Sequence, residues 1–396
     1  MTMIERIRQH SNELLETIRG FRRHLHMHPE LSYEEFETSK FIQNQLQTWG
    51  IPFETGFANT GIVALIKGDL PGDRVVGLRG DMDALPILEA NDVPYKSTKP
   101  GVMHACGHDV HTSCLLGAAR ILQLEKGSFG GTIKLVFQPA EERLPGGASL
   151  MIKDGVLENP KPQFMIGQHV MPLIPAGKIG VRSGKYMASA DEIDVVVKGK
   201  GGHGAMPNLN VDPVLISAHL IVAAQQLVSR FANPSIPSVL SFGRVEANGV
   251  YNVIPNEVRM QGTFRTMNED WRAEAHAKLT RLFEMMAESM GGSCEINIKR
   301  GYPFLVNDEA LTARVRQNAV DYLGEENVVD LDIWMAAEDF AYFSQAMPSC
   351  FYRLGTRNEE RGITSSVHTP TFDVDESSLP IGMGLMAYHA ITELIR

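Results

Sequence analysis

Hydrophobic positions in the first and last parts of the chain recur with two different spacings. Short apolar runs of the kind found in strands, either continuous or alternating with polar residues, occur at 61–66, 74–79, 132–138, 163–168 and 350–354. Helical patterns lie between them, such as 110–124, where apolar residues recur every three or four positions. Strands that alternate with helices in this way predict an open α/β sheet. A further helical pattern, at 376–395, ends the chain.

The middle of the chain follows a different order of elements. The pattern predicts a strand at 190–199, a helix at 212–230, strands at 237–246 and 250–266, a helix at 268–290 capped by Asn268, and a strand at 293–299. This β-α-β-β-α-β order is typical of a ferredoxin-like domain. Because 396 residues exceed the roughly 250–300 over which one hydrophobic core grows, we expect two domains. We place a catalytic α/β domain at 1–184 and 300–396, interrupted by a smaller domain at 185–299.

Composition and charge narrow the classes of function. The formal net charge of −10 argues against a nucleic-acid-binding protein, which needs a basic surface to replace the counterions of phosphate groups. The N-terminal segment lacks the apolar core of a signal peptide, and there is no run of about 18 consecutive apolar residues. The four cysteines are too few to indicate a disulfide framework in a chain of this length. These features predict a cytoplasmic protein that spans no membrane.

Polar side chains follow several of the predicted strands directly. They are Asp81 and Asp83 after 74–79, Glu141 and Glu142 after 132–138, and His169 after 163–168. The segment 102–111, VMHACGHDVH, lies just before a helical pattern and adds Cys106 and His108. Ligands of open α/β sheets bind beyond the carboxyl ends of the strands, so we expect these side chains to converge at one edge.

Cys, His, Glu and Asp together are typical ligands of a transition metal. Cys106 and His108 are two residues apart, so both can face one ion from a looped backbone. In the adjacent pair Glu141 and Glu142, one carboxylate can bind metal while the other takes a proton from water, as hydrolysis requires. Each feature alone is more often structural or a solvated surface. Their co-occurrence at strand ends favours a metal-dependent hydrolase.

Eight motifs, distributed in order across nearly the whole chain, carry a resemblance to a known family. They are RGDMDALPI (79–87), MHACGHDVHTSCLLGAA (103–119), QPAEE (138–142), GKGGHGAMP (199–207), NVIPNE (252–257), GTFRT (262–266), AEDFAYF (337–343) and HTPTFDVDE (368–376). They resemble the motifs of metallopeptidases of the aminoacylase, hippurate hydrolase and indoleacetyl-amino-acid hydrolase type. The resemblance implies an open mixed-sheet catalytic domain with an inserted ferredoxin-like lid, which in the family also forms the dimer interface.

The resemblance also implies roles for individual residues. Five of them match the family's ligands for two divalent metal ions: Cys106, His108, Glu142, His169 and His368. Cys106 matches the position that bridges the two ions. The mixed sulfur, nitrogen and oxygen ligands suit Mn, Zn, Co or Ni ions. Glu141 matches the general base, and Asp83 matches the carboxylate that orients a ligand histidine.

Three further matches lie on the inserted domain. His203 matches the lid histidine that stabilises the oxyanion, while Asn252 and Arg265 match positions near the substrate carboxylate. One position departs from the pattern, because many relatives have histidine just after the lid proline where this chain has Asn208. That departure bears on substrate preference and leaves the hydrolytic residues in place.

The expected function is metal-dependent hydrolysis of the amide bond of N-acyl or N-aroyl amino acids, in a homodimer. The same site also suits deacetylation of N-acetyl-diaminopimelate, or dipeptidase and carboxypeptidase activity. A non-catalytic metal-dependent binding protein is a further alternative. Retention of Glu141 beside Glu142 counts against it, because binding alone requires no base.

Overall fold

The computed structural model describes residues 1–396 and divides into two compact units. The first unit comprises 1–186, 306–332 and 339–396. The second comprises 187–305 and 333–338. The second unit is therefore an insertion into the first, together with one short later segment.

The chain forms sixteen strands, numbered here in chain order. They are β1 (Phe53–Phe57), β2 (Gly61–Lys67), β3 (Leu70–Asp81), β4 (Gly130–Gln138), β5 (Phe164–Pro175), β6 (Ile179–Val181), β7 (Gly184–Met187), β8 (Asp191–Lys198), β9 (Gly202–His203), β10 (Ser238–Ala247), β11 (Val253–Ile254), β12 (Glu257–Thr266), β13 (Ser293–Arg300), β14 (Leu305–Asn307), β15 (Val328–Asp330) and β16 (Ser349–Arg357).

Nine α-helices accompany these strands. They are α1 (Met3–Met27), α2 (Phe36–Thr48), α3 (His108–Leu124), α4 (Gly147–Lys153), α5 (Pro213–Ala224), α6 (Glu269–Ser289), α7 (Glu309–Leu323), α8 (Ala341–Ala346) and α9 (Leu379–Ile395). Four of these α-helices and one 3₁₀ turn begin at a residue whose side chain accepts a hydrogen bond from the first turn, which satisfies amide groups that the helix itself leaves unpaired. One of these is the predicted cap Asn268, which accepts from the Trp271 amide, so that prediction is confirmed. The 3₁₀ turn (Glu376–Ser378) leads into α9.

The first unit is built on an eight-stranded mixed sheet of order β1-β2-β4-β3-β5-β16-β6-β15. The central neighbours β4, β3, β5 and β16 run parallel, so their carboxyl ends share one edge. All five strands predicted for this region are confirmed. The α3 helix is buried along nearly its whole length because it packs between β3 and the helices α1 and α9.

One boundary in this sheet was predicted wrongly. His169 was expected to follow its strand, but it lies within β5, which continues to Pro175. The extension forms because His169 pairs with Arg353 of the parallel strand β16. That partner lies far away in the sequence, so local periodicity carried no signal of the extension.

The second unit contains an antiparallel sheet of order β10-β12-β8-β13, against which α5 and α6 pack. Its elements follow one another as β8, α5, β10, β12, α6 and β13, with the short pair β9 and β11 added between them. The strand predicted at 250–266 is in fact two strands, β11 and β12, separated at Pro255, which has no N–H to donate to a sheet.

Helix α5 continues into a short π-helical turn at Leu227–Phe231. The combined stretch 213–231 is the one helical segment that is long and apolar enough to cross a membrane, with a mean hydropathy of 1.4 in its most apolar window. It meets this criterion although polar residues interrupt it, and no uninterrupted apolar run of about 18 residues occurs in the sequence. Core helices of globular proteins meet the same criterion.

Candidate metal centre

The predicted site residues of the first unit meet at the shared edge of the parallel strands. Cys106 lies in the loop that enters α3, and His108 is the first residue of that helix. The residue between them, Gly107, has φ of +83°, and a Cβ there would lie 2.5 Å from the Val170 side chain. Only glycine fits this close, left-handed turn, which presents both neighbours to the site.

Two groups of potential metal ligands share the Cys106 thiol. One comprises Cys106, His108 and His169, and the other comprises Cys106, Glu142 and His368. Within each group the ligand atoms all lie within 4.8 Å of one another. Cys106 Sγ is 3.4 Å from His169 Nε2 and 3.3 Å from His368 Nε2. The two groups of candidate ligands therefore have one thiol in common.

Asp83 organises both the histidine and the glutamate pair. His108 Nδ1 donates to Asp83 Oδ1 at 3.2 Å, so its Nε2 faces the site. The amides of Glu141 and Glu142 each donate to the same carboxylate at 3.0 Å. Ser32 Oγ donates to Asp83 Oδ2 at 2.6 Å. One buried carboxylate therefore sets the ring of His108 and the main chain that carries both glutamates.

The ionisation of the site reflects burial among carboxylates. Burial alone would lower the pKa of His108, but the carboxylates of Asp81 and Asp83 raise it to about 10. Burial, together with the charges of Glu142 and Glu141, raises the pKa of the Cys106 thiol well above its usual range. Without metal, both residues therefore hold a proton that a metal ion has to displace.

His169 is held in the form that a metal ligand requires. Burial and the nearby Arg353 guanidinium lower the pKa of His169, so the ring stays neutral. Its Nδ1 donates to the Val170 carbonyl at 2.7 Å, which leaves the lone pair of Nε2 directed towards Cys106. A ligand histidine typically has its other ring nitrogen fixed in this way.

The two glutamates follow a strained backbone position. Ala140 has φ of +51°, a left-handed conformation that is uncommon for a residue with a side chain. Its amide donates to Glu35 Oε1 at 2.8 Å, which holds the turn. Glu141 Oε2 and Glu142 Oε1 come within 4.0 and 3.9 Å of His108 Nε2. The turn thus directs both carboxylates to the same side of the site.

His368 reaches the site from a loop near the end of the chain. It too is left-handed, with φ of +62°, and its amide donates to the Ala105 carbonyl at 2.7 Å. Its Nε2 is 3.2 Å from Glu142 Oε1, and its side chain is 51% exposed. Backbone strain of this kind persists where the surrounding contacts fix it, and it concentrates at functional sites.

The residues fit a pair of metal ions. His108 Nε2 is fully buried yet has no hydrogen-bond partner, a costly condition that a metal ion at this point would relieve. The donor set of one thiol, three imidazoles and a carboxylate suits a transition metal.

The three predicted site residues of the second unit lie on or directly beside its strands β9, β11 and β12. His203 and Asn252 lie together, because His203 pairs with Val253 and the Asn252 carbonyl accepts from the Gly204 amide at 2.8 Å. His203 is exposed, and its Nδ1 accepts from the Ala205 amide at 3.0 Å, so the ring proton is on Nε2.

Arg265 lies on β12 of the same unit and donates to the Met335 carbonyl at 3.0 Å. Burial lowers its pKa, and no carboxylate is close enough to oppose that effect. The guanidinium is therefore partly desolvated without an anionic partner.

Several supporting residues gave no signal in the sequence. Ser32 and Glu35 reach the site from the N-terminal region, through hydrogen bonds that join residues 51 and 105 positions apart. Arg79 is fully buried and donates to Asp81 and Asp339. Only a three-dimensional arrangement identifies such residues.

The sequence of residues 77–391 matches the family described as peptidase family M20/M25/M40. The chain is 39% identical over 360 residues to N-acetyl-L-cysteine deacetylase of Bacillus subtilis. The aligned residues are 91% of this chain and 84% of that protein. It is 38% identical over 389 residues to IAA-amino acid hydrolase ILR1-like 4 of Arabidopsis thaliana, covering 97% and 87% of the two chains.

A solved structure, described as a dinuclear metal-binding peptidase of the M20 family from Bacillus subtilis, has the same fold. It matches with a TM-score of 0.83 at 33% identity and covers 97% of this chain and 99% of its own. The chain therefore belongs to peptidase family M20/M25/M40, and it is a metal-dependent hydrolase of amide bonds.

Proposed function

We propose that the protein hydrolyses the amide bond of N-acyl or N-aroyl amino acids and releases a carboxylic acid and a free amino acid. The observation that carries the proposal is the pair of ligand groups joined at Cys106, with the carboxylate of Glu141 beside them. The names of two relatives support the substrate class, because one acts on an N-acetylated amino acid and the other on an amino-acid conjugate.

Five residues would hold two divalent ions, namely Cys106, His108, Glu142, His169 and His368, of which Cys106 belongs to both ligand groups. Mn, Zn, Co and Ni ions all suit this mixed sulfur, nitrogen and oxygen set. When bound, the ions lower the pKa of a water molecule and polarise the substrate carbonyl.

Glu141 is the general base of the proposed reaction. The residue is 6% exposed, and its Oε2 lies 4.0 Å from His108 Nε2, at the side of the ligand groups. One oxygen of Glu141 accepts a weak hydrogen bond of 3.4 Å from the Asp339 amide, which orients the group. Glu141 takes the proton of the attacking water and later gives it to the leaving amine. Asp83 holds Glu141 in place through its amide.

The second unit would supply groups that recognise the substrate. His203 presents its Nε2–H to solvent, so it can donate to the developing oxyanion. The half-buried Arg265, which lacks an anionic partner, is suited to the substrate carboxylate. Asn252, whose carbonyl accepts from the Gly204 amide next to His203, would contact the same end of the substrate.

We further propose that the second unit is a ferredoxin-like lid and forms a homodimer. Its strand and helix order and its four-stranded antiparallel sheet support the fold. The outer face of α5 exposes Leu215 and Val222, which are 52% and 72% exposed, beside the unpaired edge strand β10. A second copy would cover both features.

The dimer has a direct test. Val222→Asp should convert a dimer into a monomer in sedimentation experiments, whereas Leu88→Asp, at an equally exposed leucine of the first unit, should not. A wild-type chain that sediments as a monomer would contradict the proposal.

A substrate panel tests the function. Metal-depleted protein should be inactive and should regain activity with one of the four metals on N-acetyl and N-benzoyl amino acids. Activity confined to dipeptides or to N-acetyl-diaminopimelate would favour those alternatives. Specific binding of an N-acyl amino acid by metal-loaded protein without any turnover would favour a binding protein.

A further inference from the structure

His111 lies one turn after His108 on α3 and is fully buried, yet it belongs to neither of the two ligand groups joined at Cys106. Its Nδ1 is 2.5 Å from Asp81 Oδ1, and its Nε2 accepts a hydrogen bond from the Val170 amide at 2.9 Å. An amide N–H can only donate, so Nε2 carries the lone pair and Nδ1 carries the proton. Both ring nitrogens are engaged.

The hydrogen bonds of His111 distinguish two interpretations of the cluster of Asp81, His108 and His111, a metal site or a series of hydrogen bonds. Their ligand atoms lie within 4.8 Å of one another, which on distance alone would suit a metal ion. A metal on His111 Nε2 would leave the buried Val170 amide without its hydrogen-bond partner, which is costly for a buried group. We therefore interpret the cluster as a series of hydrogen bonds.

Asp81, at one end of this series of hydrogen bonds, is held by further contacts. Arg79 donates to Asp81 Oδ2 at 2.5 Å, and Thr112 Oγ1 donates to the Asp81 carbonyl at 2.7 Å. Burial would raise the pKa of Asp81, but the Arg79 guanidinium outweighs this, and the pKa lies well below its usual range. Asp81 is thus a fixed anionic acceptor that sets the tautomer and the orientation of His111.

At its other end, the series of hydrogen bonds reaches His169, a proposed metal ligand. Val170 donates its amide to His111, and its carbonyl accepts from His169 Nδ1 at 2.7 Å. The backbone of one residue therefore joins the two histidines, whose ring centroids are 4.5 Å apart. Any shift of Val170 would rotate His169 and move its Nε2 away from Cys106 Sγ.

We infer that His111 is a positioning residue for the metal centre: by accepting the Val170 amide, it fixes the backbone that aims His169 at the ion. The inference rests on the proposed role of His169 as a ligand. Hydrogen-bonding partners of ligands elsewhere change metal affinity by about 10–100-fold when they are removed, and we expect an effect of that size here.

Two amide substitutions separate the two contacts of the ring. Asn at 111 places its amide near the position of Nδ1, so it can still donate to Asp81 but cannot reach Val170. Gln at 111 extends to the position of Nε2 and can still accept from Val170. His111→Asn should therefore weaken metal binding about 10–100-fold, whereas His111→Gln should stay within a few-fold of wild type.

Metal-free protein is titrated with Co²⁺, and binding is monitored by the absorption band of the Co²⁺–thiolate bond to Cys106. His389→Asn is the matched control, because His389 is equally buried in α9 and neither of its ring nitrogens has a hydrogen-bond partner. This control should leave Co²⁺ affinity unchanged. Equal weakening by His111→Asn and His111→Gln, or no weakening by His111→Asn, would overturn the inference.

A double substitution shows whether His111 acts through His169. In a His169→Ala background, adding His111→Asn should cause no further loss of Co²⁺ affinity, because the ring that it positions is gone. Additive losses would contradict the inference and leave the metal centre standing. If His169→Ala alone left Co²⁺ affinity unchanged, the proposed ligand set itself would be wrong.

Discussion

The polar residues of the first unit and those of the second are held in opposite ways. In the first unit, Asp83, His108 and His169 are buried, and each is fixed by hydrogen bonds within the unit. In the second unit, His203 is exposed and Arg265 lacks an anionic partner. The polar side chains of the first unit are thus fixed by partners within the unit, whereas those of the second leave hydrogen-bond donors unused.

The difference indicates a division of labour. A metal centre requires fixed ligands, because small displacements weaken the metal or misdirect the base. Groups that recognise a substrate are useful only if their donors remain available until it arrives. A substitution on one side of this division should therefore leave the other side unaffected.

The largest effect is expected in the first unit, at the glutamate pair. Glu141→Gln should retain both metal ions but lose about 10²–10⁴-fold in turnover, since the base is removed. Glu142→Gln, the matched change one residue later, should lose metal occupancy as well. Metal analysis and turnover measured on the same samples check this, and the reverse pattern would exchange the two roles.

In the second unit, His203→Ala should keep the metal content and the fold but lose about 10²–10³-fold in turnover, the usual effect of losing one oxyanion donor. Asn248→Ala, at an exposed polar residue of the same unit, should behave as wild type. Normal turnover of His203→Ala would remove this residue from the reaction.

Mixing two inactive variants extends this test. If His203 serves the site of a partner chain, His203→Ala mixed with Glu141→Gln should recover part of the activity in mixed dimers. If activity does not return, His203 serves its own chain.

Metal affinity of the first unit should rise steeply with pH. The pKa of His108 is raised to about 10 and that of Cys106 is also raised, so both hold protons that binding releases. Between about pH 6 and pH 8, affinity should increase by up to ~100-fold per pH unit, or tenfold for each proton released. Cys106→Asp removes one of the two protons, so the slope should fall to about tenfold. An affinity that is independent of pH would contradict these protonation states.

The smallest effect is expected at Arg265. Arg265→Ala should raise KM about 10–100-fold for substrates with a free carboxylate, because a charged hydrogen bond is lost, and should change little for their amidated analogues. Arg259→Ala is the matched control, since Arg259 lies on the same strand but pairs with Glu257. Equal effects of Arg265→Ala on both substrate types would place the carboxylate elsewhere.

Local patterns predicted most of the elements but not how far each one extends. The strands of the first unit and the cap at Asn268 could be read from apolar periodicity and from the chemistry of single residues. The continuation of β5 past His169 depends on β16, and the break between β11 and β12 depends on Pro255. Pairing over long sequence distances leaves no local signature, whereas Pro255 is visible in the sequence and the prediction of a single strand at 250–266 overlooks it.

The same limit applies to the site. Spacing alone suggested Cys106, His108 and the glutamate pair, but His368 became a candidate only through resemblance, because it lies in a loop with φ of +62°. Ser32 and Glu35 act through hydrogen bonds to residues distant in the sequence. Their side chains are ordinary for their positions, so only the folded arrangement distinguishes them.

Asp83 accepts hydrogen bonds from Ser32, His108 and the amides of Glu141 and Glu142. Selection therefore cannot adjust the ligand and the base independently, because a mutation at this carboxylate displaces them together. A lineage that acquires a new substrate has an easier route through the exposed loops around His203, where a change leaves these bonds intact. The hydrolytic chemistry should consequently drift far more slowly than the substrate range.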